Sequence, residues 1–240
     1  MNTTKPSQRG ANRGTAICVG VLFIIATVTN MLGNLSMKPI LDAPDYLTQV
    51  AANENLIIIG SLLVLLSAFA GASIAIWLYP ILKKHDEALA LGSVAFRVME
   101  NMLYIAGVVS LLALLTLSQT YVNAGASNVS SFQSSGALLL AVKTWAGQLG
   151  VIAFTIGGLM YYYVFYQSKL VPRWLSGWGF LAAGLSLASA LLAIFGLLVP
   201  LSPAFIVFNL MILVQEMVLA VWLIVKGFNP SAMAKSAEGR

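Results

Sequence analysis

Two carboxylates, Glu100 and Glu216, stand inside stretches of the chain that are otherwise apolar, and Arg97 stands one helical turn before the first of them. An ionisable group at membrane depth costs roughly 3 kcal/mol or more unless it is paired, hydrated or neutralised, so these residues are the first place to look for function. In a helix, Arg97, Glu100, Asn101 and Tyr104 recur at spacings of three, four and seven and gather on one face. With about 1.5 Å of rise per residue, Glu216 lies about 15 Å from Lys226 and Glu100 about 20 Å from Asp86, so the two acids can share a depth in the inner half of a bilayer. The spacing then predicts Arg97 slightly nearer the inner face, its forked guanidinium bridging both carboxylates.

Arg97, Glu100 and Glu216 together leave one surplus negative charge if all are ionised. That surplus calls for a proton, a cation or a ligand that donates to the acid. The plainer alternative is architectural: the Arg–Glu pair neutralises itself near a helix end, and Glu216 hydrogen-bonds across helices to hold a bundle together. Lys143, with Gln148 in the same apolar segment, either snorkels to the outer surface or lines a cavity above the carboxylates. Thr27, Asn30 and Asn34 offer polar groups from the first segment, as interhelical glue or as ligand contacts. The candidate catalytic residues are thus Glu100 and Glu216. The candidate ligand-binding residues are Arg97, Asn101, Tyr104, Lys143, Gln148 and Asn30.

Other chemistries find no support in the sequence. The only cysteine, Cys18, excludes an intramolecular disulfide and a cysteine metal site, and the only histidine, His85, sits in a charged loop, away from any bis-histidine haem arrangement. There is no His-x-x-x-His pattern, aspartate-rich metal motif or Gly-rich phosphate loop. No cofactor and no metal is expected.

The elements that must carry these side chains follow from composition. Apolar residues make up 59% of the chain and charged residues 9%, which is the balance of an integral membrane protein. The net charge of +5 therefore marks membrane orientation rather than nucleic-acid binding. Six segments reach the roughly 20 residues a hydrocarbon core requires: 15–35, 56–82, 88–118, 136–167, 174–200 and 204–226. The third and fourth exceed that length and must tilt or project. Lysine and arginine concentrate in the N-terminus, the 83–84 loop, the 169–173 loop and the C-terminal tail, so the positive-inside rule places both termini in the cytoplasm.

The expected fold is all-α: a polytopic membrane bundle of six transmembrane helices, with a short interfacial helix in the first outer loop capped by Asp42 or Asp45. Residues 1–13 form a cytoplasmic tail, 14–227 the transmembrane domain and 228–240 a second tail. The stretch from Thr120 to Ser135, rich in Asn, Ser and Gly, suggests a flexible outer loop, with Asn128-Val129-Ser130 a glycosylation sequon that means nothing if the source is bacterial. Tyr161, Tyr162, Tyr163, Tyr166, Trp174 and Trp178 suggest an interfacial aromatic belt, and the glycines of the fourth and fifth spans (Gly147, Gly150, Gly157, Gly158, Gly177, Gly179 and Gly184) suggest close helix packing.

Several short stretches resemble one family: the Asp42–Leu47 loop, Phe96-Arg97-Val98-Met99-Glu100, Val171-Pro172-Arg173-Trp174-Leu175, and Gln215-Glu216 leading to Trp222-Leu223-Ile224-Val225-Lys226-Gly227. The order of these motifs on six spans resembles an uncharacterised bacterial family of integral membrane proteins known only as a domain of unknown function. The resemblance implies a fold and a bacterial cytoplasmic (inner) membrane address, and supplies no reaction. Three functions remain open. The first is a receptor or enzyme for a lipophilic small molecule or lipid, with Glu100 or Glu216 moving a proton. The second is a proton- or cation-coupled carrier, and the third a structural or partner-binding subunit. Membrane lipids are the expected partners, with homo-oligomers left open and nucleic acid excluded.

Overall fold

The computed structural model describes residues 5–124, 129–199 and 202–233, with side chains described from residue 12 onward. It is all-α. Helix α1 spans Lys5–Leu41, α2 Tyr46–Ala52, α3 Glu54–Leu82, α4 Glu87–Ala124, α5 Val129–Ser168, α6 Arg173–Ile194 and α7 Pro203–Val225. Six of these are long and apolar enough to cross a membrane. The protein is therefore a multi-span membrane protein. The short α2 lies where the sequence predicts an interfacial helix.

Local chemistry explains most helix boundaries. Asp86 accepts the Leu89 amide at 2.9 Å and so caps the start of α4. Ser202 accepts the Phe205 amide at 3.3 Å, with Pro203 in the first turn, which starts α7 cleanly. Helix α6 stops at Ile194, earlier than the apolar run to residue 200 suggests, because Gly196 takes a positive φ of 71° that terminates the helical path. Asp45 stands at the N-cap of α2 without capping it: its carboxylate accepts from Gln49 Nε2 at 2.9 Å instead. The cap expected of Asp42 or Asp45 is not formed, since Asp42 pairs with Lys38.

Local composition misleads over 120–135. Apart from 125–128, this stretch is helical, extending α4 and α5 far past the bilayer length. Tertiary contacts override the weak helix propensity there. The Tyr121 and Phe132 rings meet at 5.6 Å, and the Tyr46 hydroxyl donates to the Gln133 carbonyl at 3.1 Å. Asn128 of the sequon lies outside the described residues.

The long helices form a closed ring in chain order, α1 against α3, α3 against α4, and so on to α7, which returns to α1. Of the pairs across the ring, α3 and α5 alone make more than slight contact. Glycine permits the nearest approaches: Gly33 of α1 abuts the Gly60 carbonyl of α3, and Gly20 abuts the Ala220 carbonyl of α7. Hydroxyls also tie adjacent helices, with Ser67 of α3 donating to the Ala26 carbonyl of α1 at 2.8 Å and Ser110 of α4 to the Leu139 carbonyl of α5 at 2.7 Å.

Two apolar cores occupy the two ends of this ring. At the end that carries Lys83, Lys169 and Lys226, here called the basic end, Phe23, Leu78, Tyr161, Tyr162, Phe165 and Leu223 pack solidly. At the far end, Met37, Leu47, Val50, Ile57, Leu111 and Leu114 join α1 to α4, with no buried contribution from α6 or α7. The space between the cores is where the polar residues meet.

Candidate functional site

A cavity of about 480 Å³ lies inside the ring, lined by residues from all six long helices. Glu100, Glu216, Arg97, Asn101, Tyr104, Lys143, Gln148 and Asn30 all line it. The structure thus brings every residue singled out from the sequence to one place. Helix spacing produces this convergence: α4 supplies Arg97, Glu100, Asn101 and Tyr104 from one face, α1, α3, α5 and α7 add residues one or two turns apart, and α6 adds Ser186.

The floor of the cavity is charged. Arg97 Nη1 lies 3.0 Å from Glu100 Oε2, both side chains being almost wholly buried. The Arg97 guanidinium also rests 5.0 Å from the centre of the Phe154 ring, a cation–π contact that holds it on the α5 side. Glu216 comes from α7, and the Thr27 hydroxyl of α1 lies within its reach. The bridge expected from Arg97 to both carboxylates is not made. Among the described residues, Glu100 is the acid that pairs with Arg97, because three residues of one helix set their separation whereas Glu216 approaches from across the ring. Glu216 feels the guanidinium at longer range.

Several buried polar atoms of the lining have no hydrogen-bond partner among the described residues: Arg97 Nε and Nη1, Glu100 Oε2 and Glu216 Oε1 at the floor, and Gln148 Oε1 above it. The Arg97–Glu100 approach is close yet misaligned for a hydrogen bond. Asn101 is held differently, its Nδ2 donating to the Arg97 carbonyl at 2.6 Å. Its amide sits against Gly71 of α3, where any Cβ would collide with Oδ1 at 2.8 Å. Gly150 of α5 likewise leaves room for the Tyr104 ring, which a Cβ would meet at 2.5 Å. By contrast, a Cβ on Gly147 or Gly184 would meet nothing within 4 Å, so these two do not serve close packing.

Depth along the helices sets the shape. Glu216 lies about 15 Å from the basic end of α7, which is halfway through a hydrocarbon core of about 30 Å. Lys143 of α5 packs at the level of Gly107, about 30 Å along α4 from its basic end. The cavity therefore runs from the level of Lys143 down to that of Glu216 and lies above the tyrosine-rich core. Met31 and Leu35 line it and are 43% and 58% exposed, which places its mouth along the far half of α1.

Other expectations are redrawn by the packing. Asn34 donates to Asn30 within α1 at 3.0 Å, so this pair braces its own helix while facing the cavity and does not bridge helices. Tyr163, Tyr166 and Trp174 are exposed as an interfacial belt requires, but Tyr161 and Tyr162 are buried. Tyr162 donates to Gln215 Oε1 at 2.5 Å, and Gln215 Nε2 reaches the Leu175 carbonyl at 3.1 Å, fastening α5, α6 and α7 beneath the floor. Sequence reasoning missed Asn209 and Ser186, which bond to each other at 2.6 Å and line the cavity. The signal was present: Asn209 precedes Glu216 by seven residues and shares its helix face.

A family model described as a domain of unknown function (DUF4386) matches residues 18–227. The chain belongs to that family. The match takes in the first span from residue 18, the other five spans and the whole cavity lining. No curated protein matches, and no solved structure does. The family membership supports the six-span architecture and leaves the activity to be argued from the site.

Proposed function

We propose that this membrane protein binds a lipophilic small molecule or lipid inside the ring, with a polar group of the ligand seated on Arg97, Glu100 and Glu216. One observation carries this reading: the buried floor of a 480 Å³ cavity holds polar atoms, Arg97 Nε and Glu216 Oε1 among them, with no hydrogen-bond partner among the described residues. A buried polar atom without a partner costs roughly 1–3 kcal/mol, and a cluster built only for packing would satisfy its members. The volume suits a drug-sized molecule, and the walls of Val64, Val108, Leu111, Phe205, Ile212 and Leu213 suit an apolar body. The exposed flank at Met31 and Leu35 suits uptake from the far leaflet. The positive-inside rule puts that leaflet outside and both termini in the cytoplasm.

The same geometry equips the site for acid/base work. Glu216 has no ion-pair partner among the described residues, so it can take or give a proton at the ligand while the Arg97–Glu100 pair fixes the ligand's orientation. A carrier coupled to protons or cations needs access from the basic end as well, and the packed aromatic core there favours a binding or catalytic pocket.

Mass spectrometry of small molecules that co-purify in mild detergent tests this. Wild-type protein is expected to retain a lipophilic compound that is lost from Glu216→Gln and from Gly147→Leu, which fills the cavity from an unobstructed position. An identical profile in all three proteins would overturn the reading.

A further inference from the structure

Resting on the cavity reading above, we infer that the ligand is dipolar, with a cationic group at Glu216, an anionic group at Lys143 and an apolar stem between them. Four charged side chains line the cavity: Arg97, Glu100, Lys143 and Glu216. Arg97 and Glu100 neutralise each other at 3.0 Å. That leaves one carboxylate on the floor and one ammonium at the mouth.

Neither has an ion-pair partner among the described residues. The acid nearest in influence to Lys143 is Asp42, and Asp42 is already paired with Lys38 at 2.5 Å. Nor can Lys143 and Glu216 satisfy each other. The Lys143 side chain packs at the level of Gly107, where Cγ lies 3.9 Å from a Cβ position. Gly107 lies about 30 Å along α4 from its basic end and Glu216 about 15 Å along α7 from its own, so Lys143 and Glu216 stand about 15 Å apart along the bundle. Val64, Val108, Ile212 and Leu213 line the cavity alongside them.

A complementary molecule must match both ends. A fatty amine satisfies only Glu216 and leaves Lys143 unpaired, and a fatty acid does the reverse. A zwitterion with its ammonium inward and its carboxylate or phosphate outward satisfies both, and its stem replaces apolar contact with lipid by apolar contact with the walls.

The full chain in nonionic detergent can be titrated with three probes, 8-aminooctanoate, octylamine and octanoate, while bound probe is read by thermal shift or calorimetry. The dipolar probe is expected to bind about ten-fold more tightly than either single-ended one. Lys143→Met should abolish that advantage, whereas Lys143→Arg should keep it. Octylamine binding as tightly as 8-aminooctanoate, or an undiminished preference in Lys143→Met, would overturn the inference. If single-ended probes still bind and Gly147→Leu blocks them, the cavity reading survives that failure. If no probe binds, the dipolar inference fails, and an unaltered co-purification profile in Gly147→Leu would remove the cavity reading with it.

Discussion

Arg97 and Glu216 face one another across the ring without touching, although Arg97 closes to 3.0 Å on Glu100, three residues away on its own helix. The near pair is dictated by helix geometry and the distant one by how α7 packs against α1 and α6. Glu216 is consequently the freer of the two acids. Its freedom makes it the natural contact for a ligand, and makes the Arg97–Glu100 pair a structural support for it.

Breaking that support should be costly. Arg97→Met leaves Glu100 buried without its counter-charge, and such a change destabilises by about 3–5 kcal/mol. The double variant Arg97→Met with Glu100→Leu removes both charges and should recover most of the loss. Thermal unfolding midpoints in one detergent compare the three proteins, and a double variant no better than the single would contradict the pairing.

Below the floor, Gly179 is the tightest point between α5 and α6. A methyl group there runs into the Tyr162 ring, whose hydroxyl bonds Gln215 at 2.5 Å. Gly179→Ala should destabilise by about 1–3 kcal/mol through overpacking. Gly184→Ala, on the same helix with nothing within 4 Å of its Cβ, should be neutral or slightly stabilising. Equal melting behaviour of the two variants would argue against this packing.

Gly150 controls the Tyr104 ring on the cavity wall. Gly150→Ala must displace that ring from a contact of 2.5 Å. The amount of co-purified ligand per protein is expected to fall several-fold, and to fall further with Gly150→Val. Unchanged retention would place the ligand away from Tyr104.

His85 gives the loop between α3 and α4 a pH dependence. Partial burial, and then the neighbouring Lys84, hold its pKa below the ordinary value of 6.5, and its buried Nε2 has no hydrogen-bond partner among the described residues. The unfolded chain therefore binds more protons than the folded one at mildly acidic pH. Stability contributed by neutral His85 is complete above about pH 6.5 and declines as pH falls below it, levelling off under the folded pKa. Unfolding midpoints compared between about pH 7.5 and about pH 5.5 should drop less in His85→Asn than in wild type. A larger drop in the variant would reverse the sign and contradict the burial.

Much of the site was legible because it depends on local spacing. Charged and amide side chains are so scarce in the spans that each one is conspicuous, and the period of 3.6 assigns Arg97, Glu100, Asn101 and Tyr104 to one face without further information. Asn209 and Ser186 escaped notice because their short polar side chains are common as helix-to-helix contacts, and only their position opposite α4 makes them part of a lining. Tyr161 and Tyr162 looked interfacial because they adjoin exposed Tyr163. Three consecutive tyrosines on a helix point in three directions, and the neighbours decide which are covered.

By itself, then, the sequence determined the six spans, the short helix between the first two, the basic end and the set of polar residues that face inward. Hydropathy, charge distribution and helical period are local quantities, and each is complete within a few turns. The tertiary structure alone decided that α7 closes the ring on α1, that the centre stays open, and that Arg97 serves Glu100 and leaves Glu216 without an ion-pair partner among the described residues. Those outcomes depend on which helices approach at glycine positions and how deep each residue then lies across the ring. No local pattern carries that information.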